Sequence, residues 1–249
     1  MNFSNPLNTR IALLLGLMLT LISCADLRVS PNQVSSTNSA IVLTAEPPHR
    51  RDVSNVNGRI VIGSGMNVND VRNVNGRIVV ESGATTGNLR TVNGRVNIEG
   101  DVSINGNVNT VNGGITALSG GEINGSAGSV NGRVNFSNVS VGIDVTTTNG
   151  SIDLTDVTIG ENIETTNGNI SLENSVVERD LIVRERRWNN GLFGLFGLFD
   201  RDPKVIISPD SHVRGSLIAR EKIRLYVHET ASVDNIIGAN PISYSGQRP

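Results

Sequence analysis

Aliphatic side chains recur along the middle of this chain with a period of six residues. The positions that follow this period are Val56, Ile62, Val68, Val74, Val80, Thr86, Val92, Ile98 and Ile104, of which eight are aliphatic. In most repeats a second apolar residue lies two positions earlier, as Ile60 does before Ile62. This alternation is typical of short strands, and no stretch shows the spacing of an amphipathic helix. We therefore expect strands, with the period-six residues pointing inward.

Seven Asn-Gly pairs define a longer period. Their asparagines are separated by 18, 18, 19, 19, 18 and 18 residues, at Asn57, Asn75, Asn93, Asn112, Asn131, Asn149 and Asn167. A fixed period of this length indicates a solenoid, in which each repeat buries its apolar face against the next. Since Asn-Gly is also a hairpin turn, an array of hairpins is the alternative, but the register of apolar residues across repeats favours the solenoid.

The two periods together predict an all-β fold, a single-stranded, three-sided parallel β-helix. It has about 18 residues per coil and roughly eight to nine coils. We expect the asparagine column to be structural, because stacked amides hydrogen-bond along the axis of such a fold. The glycine after each asparagine is expected to adopt positive φ at the corner.

The N-terminus is similar to that of bacterial lipoproteins. A polar start with one positive charge precedes an apolar run from Ile11 to Ile22, which is too short to span a bilayer and is typical of a signal peptide. The run ends in Leu21-Ile22-Ser23-Cys24, which resembles a lipobox. The resemblance implies cleavage before Cys24 and acylation of that residue, the only cysteine of the chain. Ala25, rather than aspartate, after the cysteine favours the outer membrane of a Gram-negative bacterium.

The sequence divides into four predicted regions. They are a signal peptide (1–23), a lipidated flexible tether (24–50), the β-helix (51–240) and a C-terminal tail (241–249). An apolar insertion at 188–202 interrupts the β-helix and holds Trp188, Leu192, Phe193, Leu195, Phe196, Leu198 and Phe199. Two interpretations of it remain open, namely a cover that folds back on the solenoid and a knob that contacts a membrane or a partner.

Charge narrows the range of partners. The formal net charge of −2 gives no basic field, which argues against nucleic acid. Four arginines directly follow corner glycines, at Arg59, Arg77, Arg95 and Arg133. Three of them recur in consecutive repeats and are predicted to stack. This column is either neutralised by Glu81 and Glu99 or binds an anion such as a phosphate or a carboxylated glycan.

The repeat Asn73–Ile78 (NVNGRI) and its counterpart Thr91–Val96 (TVNGRV) resemble the β-helical putative-adhesin proteins of bacterial envelopes. The six-residue sub-period is also similar to that of bactofilins, which are polymer-forming β-helices. The function we expect is a non-enzymatic lipoprotein of the cell envelope, a β-helical module for adhesion, surface display or scaffolding with no cofactor and no metal. The alternatives are a module that binds anions or glycans through the arginine column and a self-associating, filament-forming protein. No catalytic motif such as HExxH, GxSxG or a P-loop occurs.

Overall fold

The computed structural model describes residues 27–44, 50–185, 202–246 and 249. Their regular structure consists of 29 β-strands, and no helix occurs among them. The strands wind into a three-sided parallel β-solenoid, which confirms the predicted fold class. In the seven coils that have an Asn-Gly pair, the chain runs from face 3 through this corner to face 1, then to face 2, and back to face 3 of the next coil.

Face 1 is a sheet of 11 parallel strands, one from each coil. Its strands are Ile41–Leu43, Ile60–Ile62, Ile78–Val80, Val96–Ile98, Ile115–Ala117, Val134–Ser137, Ile152–Thr155, Ile170–Glu173, Lys204–Ile207, Arg224–His228 and Pro241–Tyr244. At a spacing of about 4.8 Å between strands, eleven coils form a rod about 48 Å long.

Faces 2 and 3 form one sheet because two long strands, His212–Ala219 and Ser232–Ile237, run across both of them. The short strands of face 2 are Thr85–Thr86, Ser103–Ile104, Glu122–Ile123, Ser140–Val141, Thr158–Ile159 and Val176–Val177. Those of face 3 are Gln33–Ser36, Asp52–Asn57, Val71–Asn75, Leu89–Asn93, Val108–Thr110, Ala127–Ser129, Val145–Thr147, Ile163–Thr165 and Leu181–Val183. One further strand, Arg28–Val29, pairs antiparallel with Gln33–Ser36 at the N-terminal edge of face 3.

The core is a set of aliphatic columns that run along the axis. On face 1 the inward residues Ile60, Ile78, Val96 and Ile115 are fully buried and stacked in register. Phe136 is also fully buried, opposite the small Ala117 of the coil before. Burial of these columns between the three faces supplies the main driving force for folding.

The solenoid extends beyond both predicted ends. Strands Gln33–Ser36 and Ile41–Leu43 form a first coil inside the predicted tether, since each pairs in register with the next coil. Strand Pro241–Tyr244 lies in the predicted tail and pairs with Arg224–His228. The rod therefore has about eleven coils, close to the eight to nine predicted.

Candidate functional surface at the asparagine-glycine corner

The asparagines of the Asn-Gly pairs form one continuous amide ladder on the outside of the corner. Each side-chain N–H₂ donates to the Oδ1 of the asparagine in the coil before, at distances from 2.7 to 2.9 Å. Asn57 donates in the same way to Asn38, which adds a rung before the repeat begins. The ladder pairs one N–H and the oxygen of each internal amide, so it stiffens the corner along the rod.

The glycines of the corner stack so closely that no Cβ fits between them. A Cβ on Gly94 would lie 1.8 Å from the carbonyl oxygen of Gly76, and one on Gly168 would lie 1.8 Å from that of Gly150. Positive φ occurs only at the first two of these glycines, Gly58 (+134°) and Gly76 (+146°). The expectation of positive φ at every corner was therefore wrong, because close approach of stacked backbones is what requires glycine at most of them.

A buried polar column, which sequence reasoning missed, lies just inside the ladder. Its members are Asn55, Asn73, Thr91, Thr110, Ser129, Thr147 and Thr165, all at most 5% exposed. The first six donate a side-chain hydrogen bond to the corner carbonyl of the preceding coil, at 2.7 to 3.3 Å. The hydroxyl of Thr165 has no such partner. The signal was present in the sequence, because a Ser, Thr or Asn stands two residues before each corner asparagine.

The predicted inward positions Val56, Val74 and Val92 point outward instead. Val56 and Val74 are 41% and 40% exposed, and they lie between a buried polar residue and a ladder asparagine. Alternation along the strand then forces them to the solvent side, because the polar residue occupies the inward place. With Val111 and Val130 they make an outward valine column beside the amide ladder.

The arginines after the corner form a column on the other side of the ladder. Arg59, Arg77 and Arg95 are exposed and directly precede paired strands of consecutive coils. Among the described residues none of them forms a salt bridge. Neutralisation by glutamate is not observed, since the carboxylate of Glu81 accepts hydrogen bonds from Ser64.

Arg133 differs from the other three because a carboxylate faces it. Its Nε lies 3.2 Å from Oδ2 of Asp153, one coil further along face 1. Burial raises the pKa of the Asp153 carboxyl, and the positive charge of Arg133 partly opposes that shift. Gly114 occupies the arginine position between Arg95 and Arg133, so the uninterrupted column has three members.

A shallow groove of about 670 Å³ runs along the outside of face 3 next to the valine column. Arg28, Arg72 and Arg90 line it together with Val56 and Val74. Arg72 is held by Asp70 at 2.7 Å, whereas Arg28 and Arg90 form no salt bridge to a described carboxylate. The N-terminal coils therefore carry unpaired guanidinium groups on both sides of an apolar stripe.

No protein-family model, no curated protein and no solved structure matches this chain. Within the described ranges, no group of three or more His, Cys, Asp or Glu side chains is arranged to hold a metal ion. The part of the chain that the structure describes also contains no helix long and apolar enough to cross a membrane.

Two predicted sites lie outside the described residues. One is Cys24, the proposed acylation site, and the other is the apolar set from Trp188 to Phe199 in the insertion. The described strands on either side of this insertion in the chain are Leu181–Val183 on face 3 and Lys204–Ile207 on face 1. In the order of the chain, the insertion therefore takes the place of an Asn-Gly corner. It belongs to the coil after the one that holds the last ladder asparagine, Asn167.

Proposed function

We propose that this chain is a non-enzymatic lipoprotein of the bacterial cell envelope, anchored through lipid on Cys24. In this proposal its rod serves as an adhesion, surface-display or scaffolding module. The observation that best supports it is the short distance between anchor and rod. Only three residues, Ala25 to Leu27, separate Cys24 from the strand Arg28–Val29. A lipid on Cys24 would hold the first coil at the membrane surface.

The hydrogen bonds along the rod support such a role. Every coil is hydrogen-bonded to its neighbours through its strands, and the amide ladder adds side-chain bonds at the corner. A solenoid of this kind resists bending because each coil is fixed by the next. Standing upright on its anchor, it would present its last coils about 48 Å from the lipid surface.

Cell fractionation tests the proposal. We expect the full-length chain, expressed in a Gram-negative host, to sediment with the membranes, to resist washing with salt and to be released by detergent. A control chain that begins at Ala25 behind a signal peptide without a lipobox should appear in the soluble periplasmic fraction. Recovery of the full-length chain in that soluble fraction would contradict the proposal.

A second candidate function, anion or glycan binding, is favoured by the unpaired arginines. Arg59, Arg77 and Arg95 stack about 4.8 Å apart without a salt bridge to any described carboxylate, so like charges repel unless a ligand neutralises them. Arg28 and Arg90 add two further unpaired guanidinium groups across the valine column. A polyanion laid along the rod would meet several of these groups at once.

Polygalacturonate, a carboxylated glycan, is a suitable probe for this second function. We expect the mature domain to bind it with an affinity that falls as salt rises. Replacing Arg59, Arg77 and Arg95 with glutamine should weaken binding by at least about tenfold, since each lost charge-assisted contact contributes roughly 0.5–1 kcal/mol. The matched control Arg133→Gln should change little, because Arg133 already faces Asp153. Equal affinity of the natural domain, the triple variant and Arg133→Gln would show that the arginine column does not bind the glycan.

The N-terminal edge of the rod argues against the alternative of a filament-forming protein. The antiparallel strand Arg28–Val29 pairs with Val34 and Ser35, so this part of the edge of Gln33–Ser36 is not open to a strand from a second rod. A lipid anchor a few residues away would crowd the same end.

A further inference from the structure

One column of outward side chains on face 3 combines arginine and serine at the N-terminal end of the rod. The strand pairings place its members in the order Arg28, Ser35, Ser54, Arg72 and Arg90, each beside the next. Paired residues of neighbouring strands project from the same side of a sheet, so these five side chains line up along the outside of the face. Two short serines therefore lie between one arginine at the edge and two arginines further along the rod.

The groove of about 670 Å³ on face 3 follows from the sizes of these side chains. Its floor includes Ser35 and Ser54, its ends are arginines, and the outward valine column lines one side. Every ionisable side chain in its lining is an arginine, since Asp52 and Asp70 of the same coils lie outside the lining. The groove is therefore a cationic depression with an apolar side.

The polar groups of the groove have hydrogen-bond donors to spare. The Ser54 hydroxyl oxygen accepts a hydrogen bond from Nε2 of Gln33 at 3.1 Å, so its own hydrogen can bond to another acceptor. Arg72 donates to Asp70 through Nη2 at 2.7 Å, which leaves the N–H groups of Nε and Nη1 for a ligand. The other two arginines of the groove form no salt bridge to a described carboxylate. Guanidinium and hydroxyl donors thus converge on the groove from its ends and its floor.

We propose that this groove binds a phosphate group carried by a glycan, an inference that rests on the anion-binding function proposed above and names its ligand. Phosphate oxygens of nucleic acids are bound by arginine together with serine, asparagine and glutamine, which is the donor set of this groove. A phosphomonoester presents three acceptor oxygens, so arginines at both ends and a serine hydroxyl on the floor bind it together. A carboxylate has only two oxygens in one plane and uses fewer of these donors.

The length of the groove favours a glycan over the headgroup of a phospholipid. Four strand spacings, about 19 Å along the rod, separate Arg28 from Arg90. The headgroup layer of one leaflet is only about 5–8 Å thick, so an upright rod anchored close to Arg28 holds Arg72 and Arg90 above that layer. A saccharide chain is long enough to pass all three arginines, with its sugar rings beside the valine column.

Dextran phosphate tests the ligand class, because carboxymethyl-dextran of equal charge density is a matched probe on the same sugar backbone. The protein for this test is the chain from Ala25 to Pro249, which keeps every described strand and carries no lipid. We expect it to bind dextran phosphate about tenfold more tightly than carboxymethyl-dextran in isothermal titration calorimetry. Equal affinity for the two dextrans would overturn the assignment of phosphate.

Two double variants that remove the same charge locate the site. Arg28→Gln with Arg90→Gln should weaken binding of dextran phosphate about tenfold, because both ends of the groove lose a charged donor. Arg59→Gln with Arg95→Gln, on the other side of the amide ladder, should weaken it less than about twofold. Ser54→Val, which fills the floor and removes its hydroxyl, should weaken it several-fold without any change of charge. Equal losses for the two double variants would overturn the groove as the site.

Two further measurements separate this inference from its rivals. Vesicles of phosphatidylcholine with phosphatidylglycerol present phosphate at a lipid surface, and tighter binding to them than to dextran phosphate would overturn the choice of a glycan. Polygalacturonate binding through Arg59, Arg77 and Arg95 is measured on the same proteins. If polygalacturonate binds that column and dextran phosphate does not bind the groove, this inference fails while the second candidate function stands. If neither polymer binds, both fail.

Discussion

Gly94→Val is expected to destabilise the rod by more than about 3 kcal/mol, or to prevent folding of the coils around it. The cause is contact with backbone that cannot move aside. A Cβ at this position would lie 1.8 Å from the carbonyl oxygen of Gly76 and 2.8 Å from Oγ1 of Thr91. That same carbonyl accepts the hydrogen bond from Thr91, so relief of the clash also breaks the buried polar column. Thermal and denaturant unfolding of the mature domain measure the effect.

Two matched variants separate close approach from backbone conformation. Gly168→Val should cost as much as Gly94→Val, because its Cβ meets the carbonyl oxygen of Gly150 at the same 1.8 Å. Gly65 has a positive φ of +70° with no atom near the added Cβ, so Gly65→Val should cost only about 1–2 kcal/mol. If the variant at Gly65 were as unstable as the one at Gly94, the stacked-glycine explanation would be wrong.

The general fold could be predicted from the sequence because two separate periods define the repeat. The Asn-Gly period of 18 to 19 residues sets the length of a coil, and the aliphatic sub-period sets its three sides. The amide ladder follows from the same column, since residues one coil apart must lie one strand spacing apart. Nothing outside the repeat was needed for these conclusions.

The same rule could not predict which residues of face 3 point inward. The six-residue period predicts that Val56, Val74 and Val92 face inward. On this face the inward place at the corner belongs to Asn55, Asn73 and Thr91, whose side chains bond the glycine carbonyls. A buried carbonyl that needs a donor outweighs the burial of one valine, because an unpaired polar group in the core is costly.

At the two ends of the rod, one strand each does not carry the aliphatic pattern of the repeat. Gln33–Ser36 is QVSS and Pro241–Tyr244 is PISY, and neither shows two aliphatic residues in alternation. They are held in register by the neighbouring coil rather than by their own pattern. The groove could not be predicted from the sequence either. Its lining combines Arg28 of the antiparallel strand with Arg72 and Arg90 of later coils.

One cation, Arg51, is buried at the N-terminal end of the rod. Arg51 is 1% exposed, and its Nε and Nη1 have no hydrogen-bond partner. It lies in the first complete turn, next to residues 45–49, which the structure does not describe.

The lipid anchor gives the second large expected effect. Cys24→Ser should abolish incorporation of a palmitate analogue, because a hydroxyl does not replace the thiol as acyl acceptor and the chain has no other cysteine. Ser23→Ala is the matched control, since it keeps a small residue before the cysteine and should be labelled like the natural chain. Loss of the anchor should also leave the protein unprocessed or free of the membrane.

Metabolic labelling with alkyne-palmitate, followed by capture and blotting of this chain, is the most direct test of an envelope rod held by lipid. The account predicts a labelled band for the natural chain and for Ser23→Ala, and no label on Cys24→Ser. Equal labelling of the Cys24→Ser protein, or no label on the natural chain, would contradict it.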